Sequence, residues 1–364
     1  MSVRSATITA RRGLVLAPPP RWLLGWWAAG RVVAIATALA LKPTVWTLDR
    51  WDGRWYRMVA RSGYLLVPGR QSDPAFFPLY PILLRGAHAA GVGWGLAGPL
   101  LSNAALLAGL GVFYALSREI FSEVLARRAT TYLAIFPLGY VFSMAYPESV
   151  VLVLLTAAPL AALRRRWWLA AFCAGAAALA RPEGLFLLLP LAGIAWQQRS
   201  SLTPARLGSA LAAVLAPAAA LVSFSLYLDS VLHDPLAWSQ AERAWGRQFR
   251  LTGAFQAFVH LPSAVGNHPW LVRDVICLFV YLALLYAAWR VGTPRAWLAA
   301  GAAVVILPLF TGAFDSIGRF GLLAPPLFWG LAGLTKQPRT ERLVRVVLLA
   351  LLVVATVSLE YVFP

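Results

Sequence analysis

Residues 205–228 read ARLGSALAAVLAPAAALVSFSLYL, an apolar run with a single charge, Arg206, near its start. As a helix rising about 1.5 Å per residue, the run is long enough to cross a hydrocarbon core roughly 30 Å thick. Comparable runs recur at 22–42, 95–117, 129–145, 148–163, 271–289, 296–313, 319–334 and 343–362. Two shorter apolar pieces lie between Arg164-Arg165-Arg166 and Gln197-Gln198-Arg199, split by Arg181-Pro182-Glu183-Gly184. They read as two short helices or as a re-entrant hairpin, and either returns the chain to the side it left. The expectation is an all-α polytopic membrane protein, a single membrane domain over 1–364, with nine to eleven crossings and eleven preferred.

Composition agrees. The chain is 60% hydrophobic, against roughly 45–50% for a soluble domain, and its mean hydropathy is +0.69. A net charge of +18 would suggest nucleic-acid binding in a soluble protein, but here the arginines fall in short clusters between apolar runs. Arg118, Arg127 and Arg128, then Arg164 to Arg166, Arg199 and Arg206, Arg290 and Arg295, and Lys336 to Arg345 follow the positive-inside bias of cytoplasmic loops. The charge reports topology, with the N-terminus cytoplasmic, and no nucleic-acid partner is expected. Arg4, Arg11 and Arg12 before the first run could suggest a secretory signal, but the later basic loops require a first span entering from inside. Lysine occurs only at Lys42 and Lys336, an arginine bias that points to a GC-rich bacterial source and hence a bacterial plasma membrane. Cys173 and Cys277 fall in predicted spans, so no disulfide framework is expected.

This topology makes 43–94 and 229–270 the two large extracytoplasmic loops. Asp49, Asp52, Asp73, Glu148, Glu183, Asp229, Asp234, Glu242, Asp274 and Asp315 then lie outside or at that membrane edge. A transport pathway would place such charges nearer the bilayer midplane, where Arg31 and the break at Arg181 are the only hints of one.

The first loop contains Leu48-Asp49-Arg50-Trp51-Asp52-Gly53-Arg54-Trp55-Tyr56-Arg57-Met58-Val59-Ala60-Arg61. Helical periodicity sets Arg50, Arg54, Arg57 and Arg61 on one face and Trp51, Trp55 and Met58 beside them, as in a helix lying in the interface. Asp49, Asp52 and Tyr56 share a third face. Two carboxylates beside a row of guanidiniums suit proton acceptance near a phosphate, although an interfacial anchor with capping aspartates has the same pattern. Next comes Ala75-Phe76-Phe77-Pro78-Leu79-Tyr80-Pro81, by composition an aromatic belt broken by prolines. Tyr146-Pro147-Glu148-Ser149, Ala180-Arg181-Pro182-Glu183-Gly184, His233-Asp234-Pro235 and Asp315-Ser316-Ile317-Gly318-Arg319-Phe320 each put charge at the outer end of a span. His88, His233, His260 and His268 lack metal-ligand spacing, so no structural zinc is expected; a divalent ion at the aspartates stays open.

In order along the chain, these blocks resemble the membrane mannosyltransferases related to PIG-V, the enzyme that adds the second mannose in glycosylphosphatidylinositol assembly. Arg50-Trp51-Asp52, Gly63-Tyr64 and the aromatic-proline block look like that family's first outer loop. Tyr146-Pro147-Glu148-Ser149, Ala180 to Gly184, Asp234-Pro235-Leu236-Ala237 with Trp245-Gly246-Arg247, and Gly318-Arg319-Phe320 before Pro325 resemble later blocks. The likeness runs from about residue 46 to 330. It implies a GT-C-type helical bundle that takes mannose from a polyprenyl-phosphate donor at the extracytoplasmic face, with inversion. The acceptor would be a lipid-linked glycan, a polysaccharide or a protein.

On that resemblance Asp52 is the expected general base, with Asp49 the alternative. Arg50, Arg54, Arg57, Arg181 and Arg319 are the expected contacts to the donor phosphate. Trp51, Trp55, Tyr56, Phe76, Phe77, Tyr80, Glu148, Glu183, His233 and Asp234 are the expected substrate-facing residues. Another prenyl-phosphate sugar, or a flippase for a polyprenyl-linked sugar, is the alternative reading.

Overall fold

The computed structural model describes residues 19–268 and 270–358. Arg4, Arg11 and Arg12, and the end of the span expected at 343–362, lie outside them. All regular structure among the described residues is helical. In chain order the helices are α1 (Arg21–Leu41), α2 (Asp52–Ser62), α3 (Leu79–Ala89), α4 (Trp94–Ile120), α5 (Glu123–Ala134), α6 (Glu148–Leu163), α7 (Trp167–Ala180) and α8 (Leu188–Gln198). They continue with α9 (Pro204–Leu232), α10 (Ala237–Ala244), α11 (Gly253–Asn267), α12 (Leu271–Arg290), α13 (Arg295–Ile306), α14 (Ile317–Phe320), α15 (Pro325–Leu334) and α16 (Pro338–Ser358).

By length and composition α1, α4, α9 and α12 can each cross a membrane. The number rises to six if two bent pairs each count as one span: the 3₁₀ segment Pro137–Ser143 with α6, bent by 100°, and Ile317–Leu323 with α15, bent by 85°. The larger count expected from the sequence depends on helices too short to qualify by themselves and on α16, long enough but charged over its first two turns. Side-chain placement fits a lipid surround. On α9, Leu207, Leu211, Leu215, Val222 and Leu226 are 49–64% exposed while Ala210 and Ala213 are buried. An aliphatic stripe bared to this degree is unfavourable against water and neutral against lipid tails.

Small residues set the helix spacing, as expected where lipid supplies no hydrophobic drive for helices to associate. The most extensive pairing joins α7 to α9, where Gly175 faces Ala216 and Ala220. At the α12–α15 crossing, a Cβ on Gly330 would sit 2.1 Å from the Leu284 carbonyl oxygen, so only glycine allows that approach.

The loops sort to two ends. At one, Arg128 Nε bonds Glu341 at 2.9 Å, Arg164 Nε bonds Glu119 at 3.0 Å and Arg165 Nη2 bonds Ser201 Oγ at 2.8 Å, joining the basic clusters that the sequence assigns to one side. At the other, segments from 43–94, 145–149, 181–184, 229–270 and 314–320 meet. Between the ends, Arg31 of α1 is 3% exposed and without a carboxylate partner among the described residues. Its guanidinium donates to the carbonyls of Gly139 (2.8 Å) and Ala134 (3.3 Å) and to Ser143 Oγ (2.9 Å). These acceptors are orphaned where α5 stops and the chain continues as 3₁₀, and a cation suits that helix C-terminus. Arg31 is thereby explained as a backbone cap.

Replacing it by Arg31→Met strands those acceptors and should lower unfolding free energy by about 2–4 kcal/mol, read as a lower thermal midpoint of the purified protein in detergent. An unchanged midpoint would contradict the capping role.

Candidate active site

α2 starts at Asp52, immediately after Trp51, whose φ of 54° lies in the left-handed region. The helix expected over 48–61 is therefore interrupted: Val45–Leu48 is a 3₁₀ turn and Asp49 precedes the kink. Asp49 and Asp52 consequently do not share a helical face. Asp49 is buried and pairs with Arg57, and its Oδ1 would lie 2.7 Å from a Cβ at Gly53, so a larger residue there would push the carboxylate aside. Asp52 keeps its side chain one-quarter exposed.

A series of hydrogen bonds from the aromatic-proline block fixes Asp52. The Tyr80 hydroxyl meets Ser102 Oγ at 2.8 Å, Ser102 Oγ donates to the Tyr146 carbonyl at 3.0 Å, and the Asp52 amide donates to the Tyr146 hydroxyl at 3.3 Å. The Ala145 amide also bonds the Leu48 carbonyl at 2.7 Å, joining the first loop to the turn before α6.

Arg319 comes from far along the chain to meet Asp52, Nη1 to Oδ2 at 2.5 Å. Its backbone is clamped on both sides: the Gly318 amide donates to Asp274 Oδ1 at 2.8 Å, and the Tyr281 hydroxyl donates to the Gly318 carbonyl at 2.6 Å. Arg319 Nε lies 3.4 Å from Glu148 Oε1, which also receives Arg181 Nη1 at 2.8 Å. Arg181 closes a two-pronged pair on Glu183 at 2.8 and 3.0 Å. The sequence builds this pair locally. Proline after Tyr146 and after Arg181 forces a break; Arg181 is extended (φ −159°, ψ 149°), and each glutamate falls in the first turn of the following helix, where the backbone dipole favours a carboxylate. The result is an alternating series, Glu183, Arg181, Glu148, Arg319, Asp52, of which only the last member is more than slightly exposed.

Burial by itself raises the Asp52 carboxyl. The Arg319 charge and hydrogen bond, with the fields of Arg247 and Arg181, outweigh it and hold Asp52 below the usual carboxylate range. Arg247 is a member that residue spacing did not single out. Gly246, at φ 78°, ends α10, and the Arg247 amide bonds back to the Glu242 carbonyl at 2.9 Å, which fixes where the arginine begins. Its guanidinium lies 5.7 Å from the Phe320 ring and 3.5 Å from Ser316 Oγ, and it forms no ion pair among the described residues. Arg181 has its donors committed; Arg247 has donors to offer. Beside Glu183, a narrow apolar cleft of about 30 Å³ runs along Leu155, Phe186, Trp297, Leu323 and Pro326.

Other expected site residues lie elsewhere or face protein. Arg50 rests on Trp51, Arg57 on Trp46, and Arg54 is exposed. Trp55 stacks on Phe76 at 5.6 Å and meets Trp245 edge-on at 5.3 Å. Tyr56, Phe76 and Tyr80 form one buried cluster, whereas Phe77 packs on Phe224 of α9. His233 ends α9 in the left-handed conformation, and Asp234 accepts from the Leu236 amide and Gln240, turning the chain into α10. Among the described residues, no three His, Cys, Asp or Glu side chains are placed to share a metal ion.

No protein-family model and no curated protein matches the chain. Solved structures similar to it include the Archaeoglobus fulgidus oligosaccharyltransferase tethered to an acceptor peptide, at 12% identity and TM-score 0.47, covering 93% of this chain and 54% of the other. The oligosaccharyltransferase AglB of the same organism, in complex with an inhibitory peptide and a dolichol-phosphate, gives 13% identity and TM-score 0.48, covering 93% and 55%. The chain thus spans about half the length of the structures it matches.

The ion series separates two kinds of arginine. Arg181→Met leaves Glu148 and Glu183 buried without their shared cation and should cost roughly 3–5 kcal/mol in unfolding free energy. Arg247→Met breaks no ion pair and should cost less than about 1 kcal/mol. Denaturant or thermal unfolding in detergent measures both, and equal losses would contradict the division.

Proposed function

We propose that the chain is a GT-C-type membrane glycosyltransferase that transfers a sugar from a polyprenyl-phosphate donor to an acceptor hydroxyl at the extracytoplasmic face. The observation that carries the reading is Asp52, a partly exposed carboxylate held at the end of a buried ion series and next to a cation with donors to spare. The sequence resemblance supports mannose as the sugar and inversion as the outcome. A lipid-linked glycan, a polysaccharide or a protein supplies the acceptor. The proposed topology has eleven crossings, because the connecting loops alternate between the two ends of the bundle. The short helices α6, α7, α8 and α13, the composite passages of α5 and α15, and α16 then each make one traverse, beside α1, α4, α9 and α12.

In this reaction the acceptor oxygen attacks the anomeric carbon, the bond from that carbon to the phosphate oxygen breaks, and the hydroxyl proton passes to Asp52. One displacement inverts the centre. A depressed carboxyl is a weak base at rest, but the hydroxyl becomes acidic as its bond to carbon forms, so the transfer is late and needs the carboxylate ionised and aimed. Arg319 supplies both conditions. The departing lipid phosphate gains negative charge and needs neutralisation rather than a proton. Arg247 is the guanidinium free to provide it.

With purified protein, polyprenyl-phosphate mannose and a membrane lipid extract, release of polyprenyl phosphate reports turnover. Asp52→Asn should insert normally and lose at least about a hundredfold in rate; a wild-type rate would rule out Asp52 as the base. The acid limb of the native pH profile should lie below the ordinary carboxylate range, because protonating Asp52 as pH falls abolishes the base. Arg319→Gln removes the largest lowering influence and leaves burial dominant, so the limb should move to higher pH as well as the rate falling.

A further inference from the structure

The basic end of the bundle holds a second cleft, of about 290 Å³, that the proposed reaction does not use. Trp22, Trp26, Arg127, Arg128, Glu341 and Arg345 line it. Helices α1, α5 and α16 all begin here, so three positive ends of helix dipoles converge on it. The Arg127 guanidinium lies 5.0 Å from the Trp22 ring, and that of Arg345 lies 5.0 Å from Trp26. Arg128 and Arg345 share the single carboxylate, Glu341. Arg127 makes no hydrogen bond or ion pair among the described residues, and Arg345 Nε is buried without an acceptor. Positive-inside bias accounts for arginines in these loops. It does not account for three of them walling one cleft against one carboxylate, two beside tryptophan rings, with Arg127 unpaired among the described residues and Arg345 Nε without an acceptor.

We infer that this cleft binds a phosphate anion, the headgroup phosphate of an anionic phospholipid in the leaflet opposite the active site. The guanidiniums take the phosphate oxygens, and the tryptophans, residues that favour the interface, take the glycerol and upper acyl carbons. The inference stands apart from the proposed reaction, because it uses none of the same residues.

Native mass spectrometry of the full-length protein in detergent, titrated with phosphatidylglycerol or phosphatidylcholine, tests it. The expected result is one phosphatidylglycerol retained in preference to phosphatidylcholine. Its affinity should fall about fivefold for Arg127→Gln, the effect of one cation near a lipid surface. Arg127 is exposed and bonded to no neighbour, so this variant leaves the fold intact. Arg339→Gln, an equal charge change outside the cleft lining, should alter affinity by less than twofold. Millimolar inorganic phosphate is the competing arm: displacement of the lipid, still sensitive to Arg127→Gln, keeps the anion site and assigns it to free phosphate. Equal retention of both lipids, or equal loss in the two variants, overturns the site.

Discussion

The Arg319 guanidinium, 4% exposed and shared between Asp52 and Glu148, is the interaction on which the end of the bundle opposite the basic loops is organised. A buried cation without anions is costly, and anions buried to meet it need further cations. The series therefore extends through Glu148 and Arg181 to Glu183, and each added member imposes a demand on the backbone. Proline breaks bring Glu148 and Glu183 to the first turns of helices, Asp274 and Tyr281 clamp Gly318, and the kink at Trp51 starts α2 at Asp52. The local irregularities of the fold are where the ion series is attached to it.

The members of this series were legible before the structure and their pairing was not. Glu148, Arg181, Glu183 and Arg319 stand out in the sequence as charges at the ends of apolar runs, and Asp52 as a carboxylate beside a row of arginines in the first loop. Nothing in the spacing links Asp52 to Arg319, 267 residues apart. The helical periodicity of the first loop was read correctly from Asp52 onward and wrongly before it, since a left-handed Trp51 has no signature in residue type. That one residue removes Asp49 from the face of Asp52 and gives it to Arg57. Arg247 has no signature of its own in the sequence, because its position depends on a glycine turn after a short helix rather than on any span. The helical class followed from run lengths, whereas the shorter helices fall below the length at which composition alone identifies a crossing.

The aromatic-proline block illustrates how one motif supports two readings. By composition it is an interfacial belt; in the fold Phe76 and Tyr80 are interior to the first loop and Phe77 is docked on α9. Their contribution to the site is indirect and has a definite route, from the Tyr80 hydroxyl through Ser102 and Tyr146 to the Asp52 amide. A tyrosine in such a block thus helps to fix the Asp52 backbone from the loop interior.

The charges around Asp52 explain why this carboxylate is paired to an arginine at all. Asp52, Glu148, Glu183 and Glu242 face Arg181, Arg247 and Arg319, so the group carries one more carboxylate than guanidinium. Under the proposed reaction, the proton that Asp52 accepts removes one negative charge from this group in the same step that adds negative charge to the departing phosphate. A protonated Asp52 also holds Arg319 more weakly, because a charge-assisted pair becomes a neutral hydrogen bond. The guanidinium that aimed the base before transfer becomes available to the phosphate during it. Base and phosphate partner are thereby coupled through one side chain, and this coupling requires that Arg319, unlike Arg181, be held by carboxylates of which one can change its charge.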